Sequence, residues 1–166
     1  MTKPKTNLRA ILRTLTRHRV EFIIVGGVAA VLQGAPLNTF DLDVVHRRES
    51  GNIDRLLKAL QTLEARFRTP GAAKRRPERS HLSSVGHQLL MTRWGPLDLL
   101  GVIGAGRGYD ELLHDAYEVR LGGSLALRVL GLPALIRDKQ AVGRDKDKAA
   151  LALLQRTLEE KQKSHA

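Results

Sequence analysis

A chain of 166 residues with 42% apolar and 27% charged side chains is long enough to bury a real core and has the balance of a soluble globular domain. It contains no cysteine, which excludes a disulfide framework and a thiolate-held metal, and no apolar run near the roughly 18–20 residues needed to span a bilayer. Twenty-eight Lys/Arg against 17 Asp/Glu leave a formal charge of +11, the kind of excess that attracts nucleic acid or nucleotide phosphate.

The start, MTKPKTNLRAILRTL, is basic but lacks the uninterrupted apolar stretch of a secretory signal, so the cytoplasm is the expected compartment and no membrane partner is expected. Residues 1–19 carry six basic side chains (Lys3, Lys5, Arg9, Arg13, Arg17, Arg19) and no acid. Leu8, Ile11, Leu12 and Leu15 fall at helical spacing, which predicts an amphipathic helix over 6–18. VEFIIV (20–25) reads as a buried strand that ends at Gly26-Gly27. Residues 28–33 read as a short helix closed by Gly34 and the Pro36 turn. Asp41–Val45 alternates as a strand does, and Ile53, Leu56, Leu57, Leu60 and Leu63 mark a second amphipathic helix over about 52–66.

Residues 66–80, RFRTPGAAKRRPERS, form a second basic cluster, read as a loop. It serves either polyanion binding or solubility. Strand material follows within His81–Thr92, then a Gly95-Pro96 turn and a strand over Leu97–Val102. Gly101–Gly108 is glycine-rich and irregular; a G-x-G-x-x-G fingerprint fails there because its last position is Tyr109. Tyr117–Leu121 and Leu125–Leu130 predict a hairpin through Gly122-Gly123. Residues 132–158 read as helical, with an interruption near Gly143. Together these elements predict one α+β domain over 1–166: a mixed sheet backed by helices over 1–130 and a C-terminal helical segment over 131–166.

The chemistry centres on three acids. Residues i and i+2 of a strand share a face, so Asp41 and Asp43 are expected side by side, anchored by Leu42, Val44 and Val45. Two such carboxylates stay ionised only with solvent or a cation, and Mg²⁺ suits carboxylate oxygens. Asp98, in GPLDLLG, has a similar apolar setting. If its strand lies beside the first, three carboxylates converge, enough for two ions about 3.5–4 Å apart and in-line phosphoryl chemistry. Gly26 and Gly27 lie where strand turns to helix, where phosphate can approach the backbone. Lys139 falls on the inward apolar line of the last helical segment, together with Lys146. Such a lysine either meets an anion or snorkels at the core edge. Arg144–Lys148, Asp147 among them, suit the capping and solvation of a helix start after Gly143. The six histidines show no metal-ligand spacing, and His46 is expected at a solvated strand end. Trp94 and Tyr109 are either core or a base-stacking platform.

In combination, Gly-Gly, thirteen residues, Asp-Leu-Asp, and a later lone Asp on an apolar strand resemble the signature of the nucleotidyltransferase (polymerase β-like) superfamily. VEFIIVGGVAAVLQGAPLNTFDLDVVHRR (20–48) matches it in order, with Thr39 just before the acids. LIRDKQAVGRDKDKAALALL (135–154) and DLLGVIGAGRGYDELL (98–113) are similar to segments of a bacterial subgroup related to AbiEii-type toxin nucleotidyltransferases. The likeness covers most of the chain and is least specific over 66–92. It implies transfer of NMP from an NTP to an RNA (tRNA-like) or protein hydroxyl, in a toxin-like component with a cognate antitoxin. It further implies that Asp41, Asp43 and Asp98 hold Mg²⁺ or Mn²⁺, with Asp98 also helping to deprotonate the acceptor. Gly26, Gly27, Thr39, Lys139, Arg144 and Lys146 would hold the nucleotide. All three acids of the pattern are present, which argues against an inactive relative. The alternatives are a non-catalytic nucleotide- or RNA-binding module and an antitoxin-like interaction subunit on the same fold.

Overall fold

The structure is a computed structural model that describes residues 6–164 except Phe40, Ala73 and Arg144, and gives no side-chain surroundings for residues 145–147. Its elements in chain order are α1 (Leu8–Arg17), β1 (Phe22–Val25), α2 (Gly26–Leu32), β2 (Leu42–His46), α3 (Ser50–Thr62), β3 (Arg66–Phe67), α4 (Arg79–Ser83), β4 (His87–Thr92), β5 (Gly95–Leu100), α5 (Tyr109–Leu112), β6 (Ala116–Leu121), β7 (Leu125–Leu130), α6 (Leu132–Val142) and α7 (Asp145–Ser164). The seven strands form one sheet in the order β3-β4-β5-β2-β1-β7-β6. Two neighbouring pairs, β2 with β5 and β1 with β7, run parallel; the rest are antiparallel. The expected mixed α+β architecture is therefore present. No helix among the described residues is long and apolar enough to cross a membrane.

The central strands are buried on both faces: all four residues of β1 are buried, as are Leu42, Val44 and Val45 of β2 and Leu97 and Leu99 of β5. Near-continuous apolar runs are what such strands require. Helices cover both sides. Gly26 of α2 lies against Asp43, α2 contacts α6, and α6 contacts α7. His46, on the opposite side of β2 by strand parity, donates from Nε2 to the carbonyl of Leu82 in α4 at 2.8 Å, and α4 and α1 both contact α3. The first of these two faces carries the candidate site.

Most predicted elements appear within a few residues, but the stretch read as a loop over 66–80 opens with β3 and runs into α4, and strand pairing resumes only at His87. The second amphipathic helix stops at Thr62 rather than near 66, because Glu64 takes a positive φ of 54° and the chain turns into β3. The turn placed at Gly95-Pro96 is Arg93-Trp94, and Gly95 already pairs with Thr92 across the β4–β5 hairpin. His46 is no solvated strand end: it is 1% exposed. Burial pushes its imidazole below the usual value, so it stays neutral and serves the core.

Candidate active site

The acids are positioned by strand register. β2 and β5 run parallel with Asp43 opposite Asp98, so both carboxylates project from the same face of the sheet. They lie close enough to hydrogen-bond each other, and Asp43 is pushed up to about 7. Burial is the largest cause, followed by the charge and hydrogen bond of Asp98 and the charge of Asp41; Lys139 acts in the opposite direction. Burial and the two neighbouring acids thus favour the protonated form of Asp43. Asp41 is placed differently. It precedes β2 and stays exposed, with its Oδ2 3.9 Å from Nη2 of Arg68.

The glycines owe their identity to these neighbours. Gly26 opens α2 with φ +66°, and a Cβ there would collide with Oδ2 of Asp43. A Cβ on Gly27 would stand 2.8 Å from Oγ1 of Thr39. Removing both side chains lets α2 settle onto the acids' strand, so its uncapped first turn borders the carboxylates.

A cleft of about 830 Å³ opens over this patch. One part is polar, lined by Gly26, Gly27, Thr39, Asp43, Asp98 and Lys139. The other is aliphatic, with Leu37, Leu89, Leu100, Val142 and Leu154. Lys139, on α6, therefore faces the cleft and is only half-buried. Of the sequence-predicted site residues, Gly26, Gly27, Thr39, Asp43, Asp98 and Lys139 come together, and Asp41 stands at the rim. Arg144 and the side chain of Lys146 lie outside the described residues, as does that of Asp147. Tyr109 is core, its hydroxyl accepting from Arg128. Trp94 is half-buried with Arg93 stacked over its ring at 5.1 Å. Neither lines the cleft.

Two residues escaped the sequence reading. Arg68 enters the cleft from the loop after β3 and grips Asp98 with both terminal nitrogens, one at 3.2 Å and the other closer. Nothing in RFRTPG sets this arginine apart from its basic neighbours. Asp138 lines the cleft beside Lys139, and a Cβ on Gly104 would meet its Oδ1 at 2.6 Å; only its adjacency to Lys139 hinted at this.

The donor set fits a divalent cation at Asp43 and Asp98. The two carboxylates are in register and largely buried, and a cation between them would offset the charge that disfavours ionised Asp43. The fit does not extend to the expected three-acid cluster: among the described residues no three acidic, histidine or cysteine side chains gather at metal-holding distances.

No protein-family model matches the sequence. A search against curated proteins finds no significant match either. Solved structures do resemble it. TM1012 of Thermotoga maritima, described as a candidate nucleotidyltransferase, aligns at TM-score 0.55 and 17% identity over 87% of this chain and 88% of its own. The chain has a nucleotidyltransferase-like fold. The antibiotic-resistance factor ANT(2'')-Ia, known from a solution structure with substrate-regulated conformation dynamics, aligns at TM-score 0.60 and 15% identity. That alignment covers 91% of this chain and 82% of the other. Identities this low speak for fold, and the two alignments run through nearly the whole of it.

Proposed function

We propose that the chain is a metal-dependent nucleotidyltransferase that moves NMP from an NTP to a hydroxyl acceptor. The observation that carries this reading is the Asp43–Asp98 pair, in register on parallel strands and facing a cleft with a lysine on its wall. Such a pair is poorly explained by packing, because burying two adjacent carboxylates is unfavourable.

Asp43 and Asp98 would hold Mg²⁺ or Mn²⁺, and Asp41 would have to move inward from the rim to join them. Bound there, the cation supplies charge neutralisation at the phosphates and lowers the pKa of an acceptor oxygen. Lys139 offers a positive charge to the triphosphate, and the first turn of α2 offers backbone N–H groups beside the carboxylates. Arg144 and Lys146 join the nucleotide site on the strength of motif resemblance alone. In the reaction the acceptor oxygen bonds to the α-phosphorus as the bond to the bridging α–β oxygen breaks. Pyrophosphate leaves, and the hydroxyl proton passes to Asp98.

RNA is the acceptor that the charge favours. The loop that begins at the cleft with Arg68 continues through exposed Lys74, Arg75 and Arg76, an attraction for a polyanion. The motif segments 98–113 and 135–154 support a toxin-like role in the AbiEii-related subgroup, with a cognate antitoxin as partner. A second reading, binding without catalysis, is favoured by one observation: Asp98 already has a cationic partner in Arg68. Pyrophosphate release separates the two. The transferase reading expects release that depends on Mg²⁺ and RNA and is lost in Asp43→Asn, which still binds RNA. Equal RNA binding by both proteins with no pyrophosphate from either supports the binding module.

A further inference from the structure

The carboxylate patch holds a cation of the chain's own. Arg68 directly follows β3, and its backbone N–H donates to the Leu89 carbonyl at 3.1 Å, which extends the β3–β4 pairing by one residue. From this fixed base the side chain turns over the sheet. Nη1 donates to the Leu90 carbonyl at 2.9 Å and to Oδ1 of Asp98, while Nη2 donates to Oδ2 of Asp98 at 3.2 Å. Nη2 also lies 3.9 Å from Oδ2 of Asp41. One guanidinium thus spans two of the three acids, and its side chain is 26% exposed against 11% for that of Asp98.

A forked arginine–carboxylate contact uses both oxygens of the acid and is among the stronger ion pairs. A divalent ion shared by Asp43 and Asp98 needs an Asp98 oxygen and would stand within a few ångströms of the guanidinium. At that range two cations repel strongly in a partly buried site. Full engagement of Asp98 by both is therefore disfavoured. Arg68 also lines the same cleft as Lys139, so a guanidinium that leaves Asp98 is still next to the space a triphosphate would fill.

We infer that Arg68 is a built-in counter-cation that competes with the divalent ion for Asp98 and must release this carboxylate before the ion binds. The inference rests on the metal-dependent reading above and adds to it a step that precedes catalysis: exchange of an internal cation for an external one. It makes Arg68 a positioning residue that sets how much free cation the site requires.

The test uses the full chain and Mn²⁺ alone, without nucleotide, with bound and free Mn²⁺ separated by electron paramagnetic resonance. Wild type is compared with Arg68→Gln, Arg68→Lys and Asp43→Asn, each first checked for cooperative thermal unfolding. Competition predicts that Arg68→Gln binds Mn²⁺ about tenfold more tightly than wild type. Arg68→Lys, which keeps the charge but not the fork, falls between the two and serves if the glutamine variant fails to fold. Equal or weaker Mn²⁺ binding in both Arg68 variants, with wild-type binding that Asp43→Asn abolishes, overturns the competition and leaves the metal site standing. No Mn²⁺ binding by any of the folded proteins removes the metal-dependent reading, and the competition falls with it.

Discussion

Among single residues, Asp43 is the most perturbed acid of the cleft. Its carboxyl lies at about 7 against an ordinary 3.8, mainly through burial and then through Asp98. Between these values the folded metal-free chain binds more protons than the unfolded one, so this group's contribution is full below pH about 4 and is lost as pH rises through 7. Asparagine imitates the protonated acid. Asp43→Asn is therefore expected to raise metal-free stability at pH 8 by about 1–3 kcal/mol and to change it little at pH 4. Urea unfolding in EDTA at the two pH values checks this; equal effects at both would show that the two carboxylates do not oppose each other. The importance of this residue was legible in the sequence because an Asp-x-Asp beside apolar neighbours is costly unless used. Its true partner was less so. Spacing suggested Asp41, but Asp41 lies outside β2, and register instead sets Asp43 against Asp98, fifty-five positions away along the chain.

At the scale of elements, the site depends on how α2 is held to α6. Gln33, at the end of α2, is 6% exposed and satisfied on every side. Its Nε2 donates to the carbonyls of Ala29 and Leu130, both at 2.8 Å. Its Oε1 accepts from the Tyr117 hydroxyl at 2.6 Å and the Leu132 N–H at 3.1 Å. One side chain thus joins the helix beside the carboxylates, the last sheet pair and the first turn of the helix that carries Lys139. Gln33→Ala leaves the buried Leu130 carbonyl and Leu132 N–H without this partner and is expected to cost about 2–3 kcal/mol. If α6 is placed by this joint, KM for the NTP also rises. A drop in melting temperature with unchanged KM would restrict Gln33 to stability. Sequence reasoning placed the α6–α7 break correctly, because Gly143 adopts φ +62°, a conformation that glycine takes without strain. It gave no hint of Gln33, since a buried amide becomes meaningful only when its partners are in place, and three of the four come from distant strands and helices. The two-residue β3 was equally hidden: its pairing with β4 comes from tertiary contact rather than any local alternation.

At the scale of the whole molecule, charge and shape divide the labour. The net charge of +11 is uneven, and the loop from Arg68 onward carries exposed Lys74, Arg75 and Arg76. If the acceptor is RNA, Arg75→Gln with Arg76→Gln should weaken RNA binding and lower the slope of log affinity against log salt by about 1–2. An unchanged slope would leave this loop as solubilising charge and point to a smaller or protein acceptor. Much of the architecture was readable from hydrophobic periodicity and turn residues, which mark the helices and the β6–β7 hairpin directly. The crossover order β5-β2-β1-β7 was not, because parallel pairs are specified by packing between segments far apart in the chain. That order is what brings Asp43 and Asp98 together.

Whether the Asp43–Asp98 pair supports nucleotide transfer is decided by following a label. The protein would be incubated with Mg²⁺ or Mn²⁺ and each α-labelled NTP in turn, with and without total tRNA, beside an Asp43→Asn control. Label from at least one NTP is expected to move covalently to RNA or protein with the wild type alone. Transfer that persists in Asp43→Asn would contradict the assigned carboxylates. No transfer with any NTP or acceptor, from a protein that still binds RNA, would contradict catalysis itself.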